Sequence, residues 1–173
     1  AREKSLMRLN EGINRATRLV QQLLTLARLD PDSTKHPAST IKLDSLAHSV
    51  CEDMTPIASQ KSITVTAVTK PASTEGLEDA VRLMMTNLTD NAVRGRIEIR
   101  TRTDADTDGA VIEICDNGPG IAPEERERVF DRFYRALGTK TSGTGLGLAI
   151  VKRIVDIHHG TIAIDDGLDG RGT

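Results

Sequence analysis

Tryptophan is absent from this sequence, tyrosine occurs once and phenylalanine twice. The three aromatics, Phe130, Phe133 and Tyr134, fall in one short stretch, so the core must be aliphatic and any purine pocket does without tryptophan. Cysteine is nearly as scarce. Cys51 and Cys115 cannot build a disulfide framework or a four-ligand zinc site, which makes a reducing cytosol the default setting. No run approaches the roughly 20 apolar residues of a membrane span, and no signal-peptide pattern opens the chain; the sequence reads as soluble. Neither sign of charge dominates: 23 Lys plus Arg stand against 25 Asp plus Glu, a formal net charge of −2. A protein that coats nucleic acid carries a basic stripe, and none is present, so nucleic acid is not an expected partner. No internal repeat is visible. What remains is 173 residues, 38% of them apolar, room for one domain or for one domain and a helical appendage.

The appendage comes first. Leu6, Leu9, Ile13, Ala16, Val20, Leu23 and Ala27 repeat at alternating spacings of 3 and 4, a heptad seam. Leu19, Leu24 and Leu26 widen the apolar face beyond a two-stranded zipper, which predicts a bundle of several helices. Asp30-Pro31 ends the helix, because a residue before proline avoids the α region. Residues 1–30 are therefore expected to be a helix, and 31–40, rich in Pro, Asp, Ser and Thr, a linker. A helix set apart by a linker must bury its stripe elsewhere, and a second copy of the chain is the expected surface.

A domain is expected from residue 41 to 173. Leu43, Leu46, Ala47 and Val50 have helical spacing, while Ile63, Val65 and Ala67 alternate with Thr64 and Thr66, predicting a strand over 62–68. A second helix is predicted over 77–93, with Ala80, Val81, Met84, Leu88 and Ala92 inward, and a strand around Ile97 and Ile99. A helix running through Arg94 would meet that strand across Gly95 alone. Such joins usually take several residues, so residues are expected to be missing between Arg94 and Arg96. Further strands are predicted at Ala110–Cys115 and Thr161–Asp165, with a helix over Ala149–Ile157 between them.

Chemistry-bearing residues cluster in three places. Gly143, Gly145 and Gly147 alternate immediately before a helix, where missing Cβ atoms let backbone N–H groups approach an anion and the helix N-terminus adds positive potential; an ordinary glycine-rich loop is the other reading. No Lys-Ser or Lys-Thr follows, so this is not a P-loop. Asp116-Asn117-Gly118-Pro119-Gly120 follows a strand, setting a carboxylate beside a sharp turn, either to accept from an exocyclic amine or simply to cap the turn. Asn87 and Asn91 are four apart on a helix and share a face. Their amide oxygens suit Mg²⁺, although a solvated polar face has the same pattern. In this order the three point to ATP with Mg²⁺.

The series Asn87-x-x-x-Asn91, Asp116-x-Gly118-x-Gly120, Phe130-Asp131-Arg132-Phe133-Tyr134-Arg135 and Gly143-Thr144-Gly145-Leu146-Gly147-Leu148 resembles the N, G1, F and G2 boxes of bacterial sensor histidine kinases. The likeness spans 41–173. Residues 8–30, with Gln21-Gln22-Leu23-Leu24-Thr25-Leu26-Ala27-Arg28-Leu29, resemble the second helix of that family's dimerisation and phosphoacceptor hairpin, in wording closest to a QseC-like subgroup. The resemblance implies an α+β fold, a two-layer α/β sandwich of the GHKL (Bergerat) type. It implies ATP-dependent transfer of a phosphoryl group to histidine, a homodimer through the leading helix, relay to a response-regulator receiver domain, and a parent protein on the cytoplasmic side of the bacterial inner membrane.

By the same resemblance, Asn91 with Asn87 would hold Mg²⁺, and Arg94 and Arg135 would reach the phosphates. Asp116 would accept from adenine over a floor shaped by Gly118 and Gly120. Phe130 and Phe133 would anchor a lid, and Thr144, Gly145, Leu146, Gly147 and Leu148 would wrap the phosphates. Departures from the pattern are specific. His36, His48, His158 and His159 all lack the His-Glu or His-Asp setting of a phosphoacceptor, which is expected upstream of Ala1. The tyrosine expected soon after Arg94 is missing, His159 stands where the family has glycine, and the closing strand is lacking, so the chain reads as a fragment. The alternatives are a related GHKL ATPase of the chaperone or topoisomerase kind, against which the Phe130–Arg135 box and the leading helix count, and a non-catalytic ATP-sensing dimer scaffold.

Overall fold

Strict alternation in Arg96–Thr103 (β4) makes this strand the centre of the sheet: Ile97, Ile99 and Thr101 are buried on one face while Glu98, Arg100 and Arg102 look outward. The computed structural model describes residues 12, 13, 16, 17, 20, 24, 38–92, 95–135 and 144–173. Within these, Thr64–Thr69 (β2) lies parallel to β4 and Ala110–Asp116 (β5) antiparallel to it, giving a mixed three-stranded sheet in the order β2-β4-β5. Ser39–Lys42 (β1) and Ser73–Gly76 (β3) form a separate antiparallel pair in which Ser39 faces Gly76. The expected domain start at residue 41 thus falls inside a strand, because Ser39 and Thr40 already hydrogen-bond to β3.

Three helices supply the other layer: Leu43–Gln60 (α1), Glu78–Asn91 (α2) and Gly147–Ile157 (α3). Their inward residues, among them Leu43, Val50, Met85, Leu146, Ile150 and Ile154, join Ile97 and Ile99 in one aliphatic core. The opposite sheet face is polar. Arg100 donates to Glu98 at 2.9 and 2.6 Å, and Arg102 reaches across to Glu113 at 3.3 Å. Water is a good solvent for that face, so one helical layer suffices.

Several boundaries differ from expectation. α2 stops at Asn91, and Ala92 is extended (φ −72°, ψ 126°). Gly95 then takes φ 83°, a left-handed conformation glycine adopts without strain. Four residues, 92–95, stand between α2 and β4. Val93 and Arg94 themselves lie outside the described residues. No strand forms over Thr161–Asp165: Ile162 and Ile164 are less exposed than their neighbours, as alternation requires, but the Ile164 carbonyl accepts from the Arg126 side chain instead of a strand. His158 and His159 lie just past α3 rather than in it. His159 has φ 54°, so where the family has glycine this backbone does take the conformation that favours glycine.

Of the leading segment, residues 12, 13, 16, 17, 20 and 24 are helical. Ile13, Val20 and Leu24 are 61%, 55% and 54% exposed, a half-bare apolar stripe. Leu6, Leu9, Leu23 and Ala27 of the predicted seam lie outside the described residues. Among the described residues no helix is long and apolar enough to cross a membrane.

Candidate functional site

One contact sets how α2 meets the start of α3. Asn87 packs against the start of α3, where a Cβ on Gly147 would sit 3.6 Å from its Oδ1. The Asn87 Nδ2 is buried and has no hydrogen-bond partner among the described residues. A buried amide without a partner is costly unless something completes it. Asn91 lies one turn on and is exposed, because α2 leaves the core at its end.

Gly147 is the first residue of α3, and Leu146 caps it, its carbonyl accepting from the Ile150 N–H at 2.9 Å. The N–H groups of this first turn have no acceptor within the helix and face an anion favourably. Thr144 Oγ1 accepts from the Leu146 N–H at 3.3 Å, bending the chain into the helix. Gly145, at φ 71°, is the hinge of that bend. A Cβ there would lie 2.8 Å from the Phe133 backbone, and its carbonyl accepts the Phe133 N–H at 2.8 Å. The aromatic box and the glycine box are thereby stapled on either side of residues 136–143, which, Gly143 included, lie outside the described residues.

The aromatic box is braced on its other side. Tyr134 donates its hydroxyl to Glu125 at 3.2 Å, and the Arg128 guanidinium lies 4.7 Å over its ring. Burial, then the bond to Glu125, push the phenol pKa up, so it stays a donor. Phe130 is half-buried, whereas Phe133 is largely exposed at φ 65°. Arg135 is exposed at the edge of the segment.

Asp116 ends β5 opposite Ile97, on the sheet face that carries the helices. Its Oδ1 accepts the Gly118 N–H at 2.6 Å, the turn-capping reading; its half-buried carboxylate keeps a second oxygen for a donor. Asn117 closes the ladder by accepting the Arg96 N–H at 2.8 Å. Gly120, at φ 73°, and Asp116 pack against the chain end, where the Thr173 carbonyl accepts the Asp116 N–H at 2.7 Å.

The structure thus sets Asn87 against Gly147, with Gly145 and Leu146 in the turn that leads into it and Leu148 in the first turn of α3. Asp116, Gly118 and Gly120 form a second cluster, at the end of β5. Arg94 lies outside the described residues. Sequence reasoning passed over Arg126, which donates to the carbonyls of Ile121 (3.2 Å) and Ile164 (2.9 Å) and to Asp166 (2.8 Å), locking the turn after Gly120 to the C-terminal segment. In the run Glu124-Glu125-Arg126-Glu127-Arg128 it reads as one more solvated charge, and no local signal separates it.

Among the described residues no group of three His, Cys, Asp or Glu side chains makes a self-sufficient metal cage. The Asn87 amide beside a helix N-terminus, with Asn91 one turn on, fits Mg²⁺ of the kind that takes most of its ligands from phosphate and water.

The sequence model of the "Histidine kinase-, DNA gyrase B-, and HSP90-like ATPase" family matches residues 76–173. The chain belongs to that family. Its α+β architecture is the GHKL fold of this ATPase family, as the resemblance implied. The chain is 36% identical over 178 residues to the sensor protein kinase PmrB of Pseudomonas aeruginosa, covering 99% of this chain and 37% of that protein. It is 40% identical over 160 residues to the sensor protein QseC of Escherichia coli K12, covering 91% of this chain and 35% of QseC. The crystal structure of full-length ShkA in complex with AMPPNP superposes with a TM-score of 0.71 at 28% identity, covering 90% of this chain and 34% of ShkA. The chain thus spans little more than a third of these relatives. Within the ATPase family it stands with the sensor kinases, and the QseC-like resemblance of its wording agrees with these similarities.

Proposed function

We propose that this chain is the ATP-binding catalytic part of a sensor histidine kinase, which transfers the γ-phosphoryl group of ATP to a histidine upstream of Ala1 for relay to an aspartate of a response-regulator receiver domain. The observation that carries the reading is the meeting of Asn87, with its unpartnered buried amide, and the first turn of α3. Relatives named as sensor kinases and a neighbour bound to an ATP analogue support it.

Phosphoryl transfer needs positioning and charge neutralisation more than covalent chemistry from the protein. The turn Thr144–Leu148 would present backbone donors to the phosphates, and Arg94 and Arg135 would bring positive charge. Asn91, with Asn87, would hold Mg²⁺, whose chemistry is to neutralise the triphosphate. Asp116 would accept from the adenine amine. The bond between Phe133 and Gly145 would hold the aromatic box beside that turn.

Asp116→Asn tests the reading. Removing a charged hydrogen bond costs roughly 1.5–3 kcal/mol, and this loss is expected for ATP and not for GTP when both are titrated calorimetrically. Equal affinity for the two nucleotides, unchanged by the substitution, would refute it.

The half-bare stripe of Ile13, Val20 and Leu24 supports dimerisation through the leading helix; the likeness to sensor kinases supports a place on the cytoplasmic side of a bacterial inner membrane. In the parent protein with its whole hairpin, Ile13→Asp with Val20→Asp is expected to give monomers in sedimentation. Dimers of unaltered stability would show that the stripe packs elsewhere.

A further inference from the structure

His158 lies just past α3, at the end of the helix remote from Gly147, yet it is the point where three elements meet. Its Nδ1 is 2.7 Å from the Ile154 carbonyl and its Nε2 is 3.2 Å from the Leu77 backbone nitrogen. A carbonyl only accepts and an amide N–H only donates, so the partners assign the tautomer: Nδ1 carries the proton and Nε2 accepts from Leu77. Leu77 is the residue that caps α2. Gly76, immediately before it, ends β3 and pairs with Ser39 of β1. The ring fills the space beside Gly76 so closely that a Cβ there would overlap Nε2, which accounts for glycine at a position whose backbone does not demand it.

Two polar anchor points therefore stand at opposite ends of the α2–α3 pair. Asn87 meets Gly147 at the phosphate-facing end, and Leu77 meets His158 at the other, about 16 Å away along α3 at 1.5 Å per residue. Between them the helices touch through apolar side chains such as Met84, Met85, Ile150 and Ile154, which fill space but specify sliding and tilt only weakly. A directed hydrogen bond at the far end removes that freedom. An imidazole suits the task because one rigid ring accepts from α2 while its other nitrogen is tied back to α3.

We propose that His158 is a positioning residue for nucleotide: by tying the start of α2 to the end of α3, it keeps Asn87 and Asn91 aligned with the turn Thr144–Leu148. The inference rests on the nucleotide-binding reading given above. Its role is distinct from that of the residues which would touch nucleotide, and it concerns the phosphate end of the site rather than the adenine end at Asp116.

The experiment measures binding of MgATP and of adenosine, which lacks phosphates, to the 173-residue chain. His158→Leu is expected to weaken MgATP about tenfold and leave adenosine within twofold. His158→Gln, whose Oε1 can take the place of Nε2 as acceptor, is expected to restore MgATP to within threefold of wild type. Gly76→Ala, by displacing the ring, is expected to copy the His158→Leu defect and to add nothing in a His158→Ala background. That last comparison decides the matter if His158→Leu does not fold: additive losses overturn the proposal. Wild type that binds MgATP and adenosine, with His158→Leu weakened equally for both or for neither, also overturns it. Wild type that binds neither ligand overturns the nucleotide reading and this inference together.

Discussion

Asn91→Asp in the parent protein is expected to lower phosphohistidine formation by roughly a hundredfold or more. The substituted carboxylate is nearly isosteric and is itself a competent Mg²⁺ ligand, so loss of the ion is not the main effect. Charge is. Two like charges about 4 Å apart at an effective dielectric near 20 repel by about 4 kcal/mol, close to three orders of magnitude in rate, and retained attraction to the cation offsets part of this. Asn91 also closes α2, whose C-terminal end carries partial negative charge, so the helix offers an added anion no relief. Because Asn91 is exposed, the melting temperature should hardly move, which separates this outcome from unfolding. The readout is acid-labile, base-stable label from γ-labelled ATP. A variant labelled at the wild-type rate would remove Asn91 from the site. Label on the 173-residue chain alone, on His36, His48, His158 or His159, would overturn the upstream placement of the acceptor.

Leu146→Ala is expected to have the largest effect on stability. Leu146 is fully buried, caps α3 and packs in the same cluster as Ile150, Val151 and Ile154. Truncation removes transfer free energy and leaves a cavity, together about 2–5 kcal/mol, a large share of the roughly 5–15 kcal/mol that holds a domain folded. The same position lies between Gly145 and Gly147, so the glycine turn loses its anchor along with the core. Urea denaturation measures the loss, with Val68→Ala on the exposed sheet face as a control expected to change stability by about 0.5 kcal/mol or less. A loss below about 1 kcal/mol for Leu146→Ala would show that the turn is held by other residues.

Much of this architecture was readable in the sequence where the physics is local. The period-2 alternation of Ile97 and Ile99 against Glu98 and Arg100 specifies a half-buried strand, and β4 is that strand. The alternate glycines before an apolar helix specify a turn feeding a helix N-terminus, and Gly145 bears the left-handed conformation that pattern calls for. Long-range closure was not readable. Met85 is fully buried although the helical stripe through Ala80, Val81, Met84 and Leu88 omits it, because α2 packs on both the sheet and α3. α2 ends at Asn91, with Ala92 already extended, although no breaker precedes Gly95. At the site, the spacing of Asn87 and Asn91 put both amides on one face, but their unlike burial depends on where α2 emerges from the core. Arg126 and His158 take their meaning from partners dozens of residues away, and composition makes neither conspicuous.

The scarcity of aromatic side chains has an optical consequence. With no tryptophan and a single tyrosine, emission excited in the tyrosine absorption band comes from one residue, Tyr134, next to the Phe133 backbone that bonds to Gly145. Its hydroxyl donates to Glu125 and its ring lies under Arg128, two neighbours that alter its intensity and lifetime when they shift. A change in the pose of the aromatic box is therefore reported by a native, label-free probe at a single site, uncontaminated by signals from the rest of the fold.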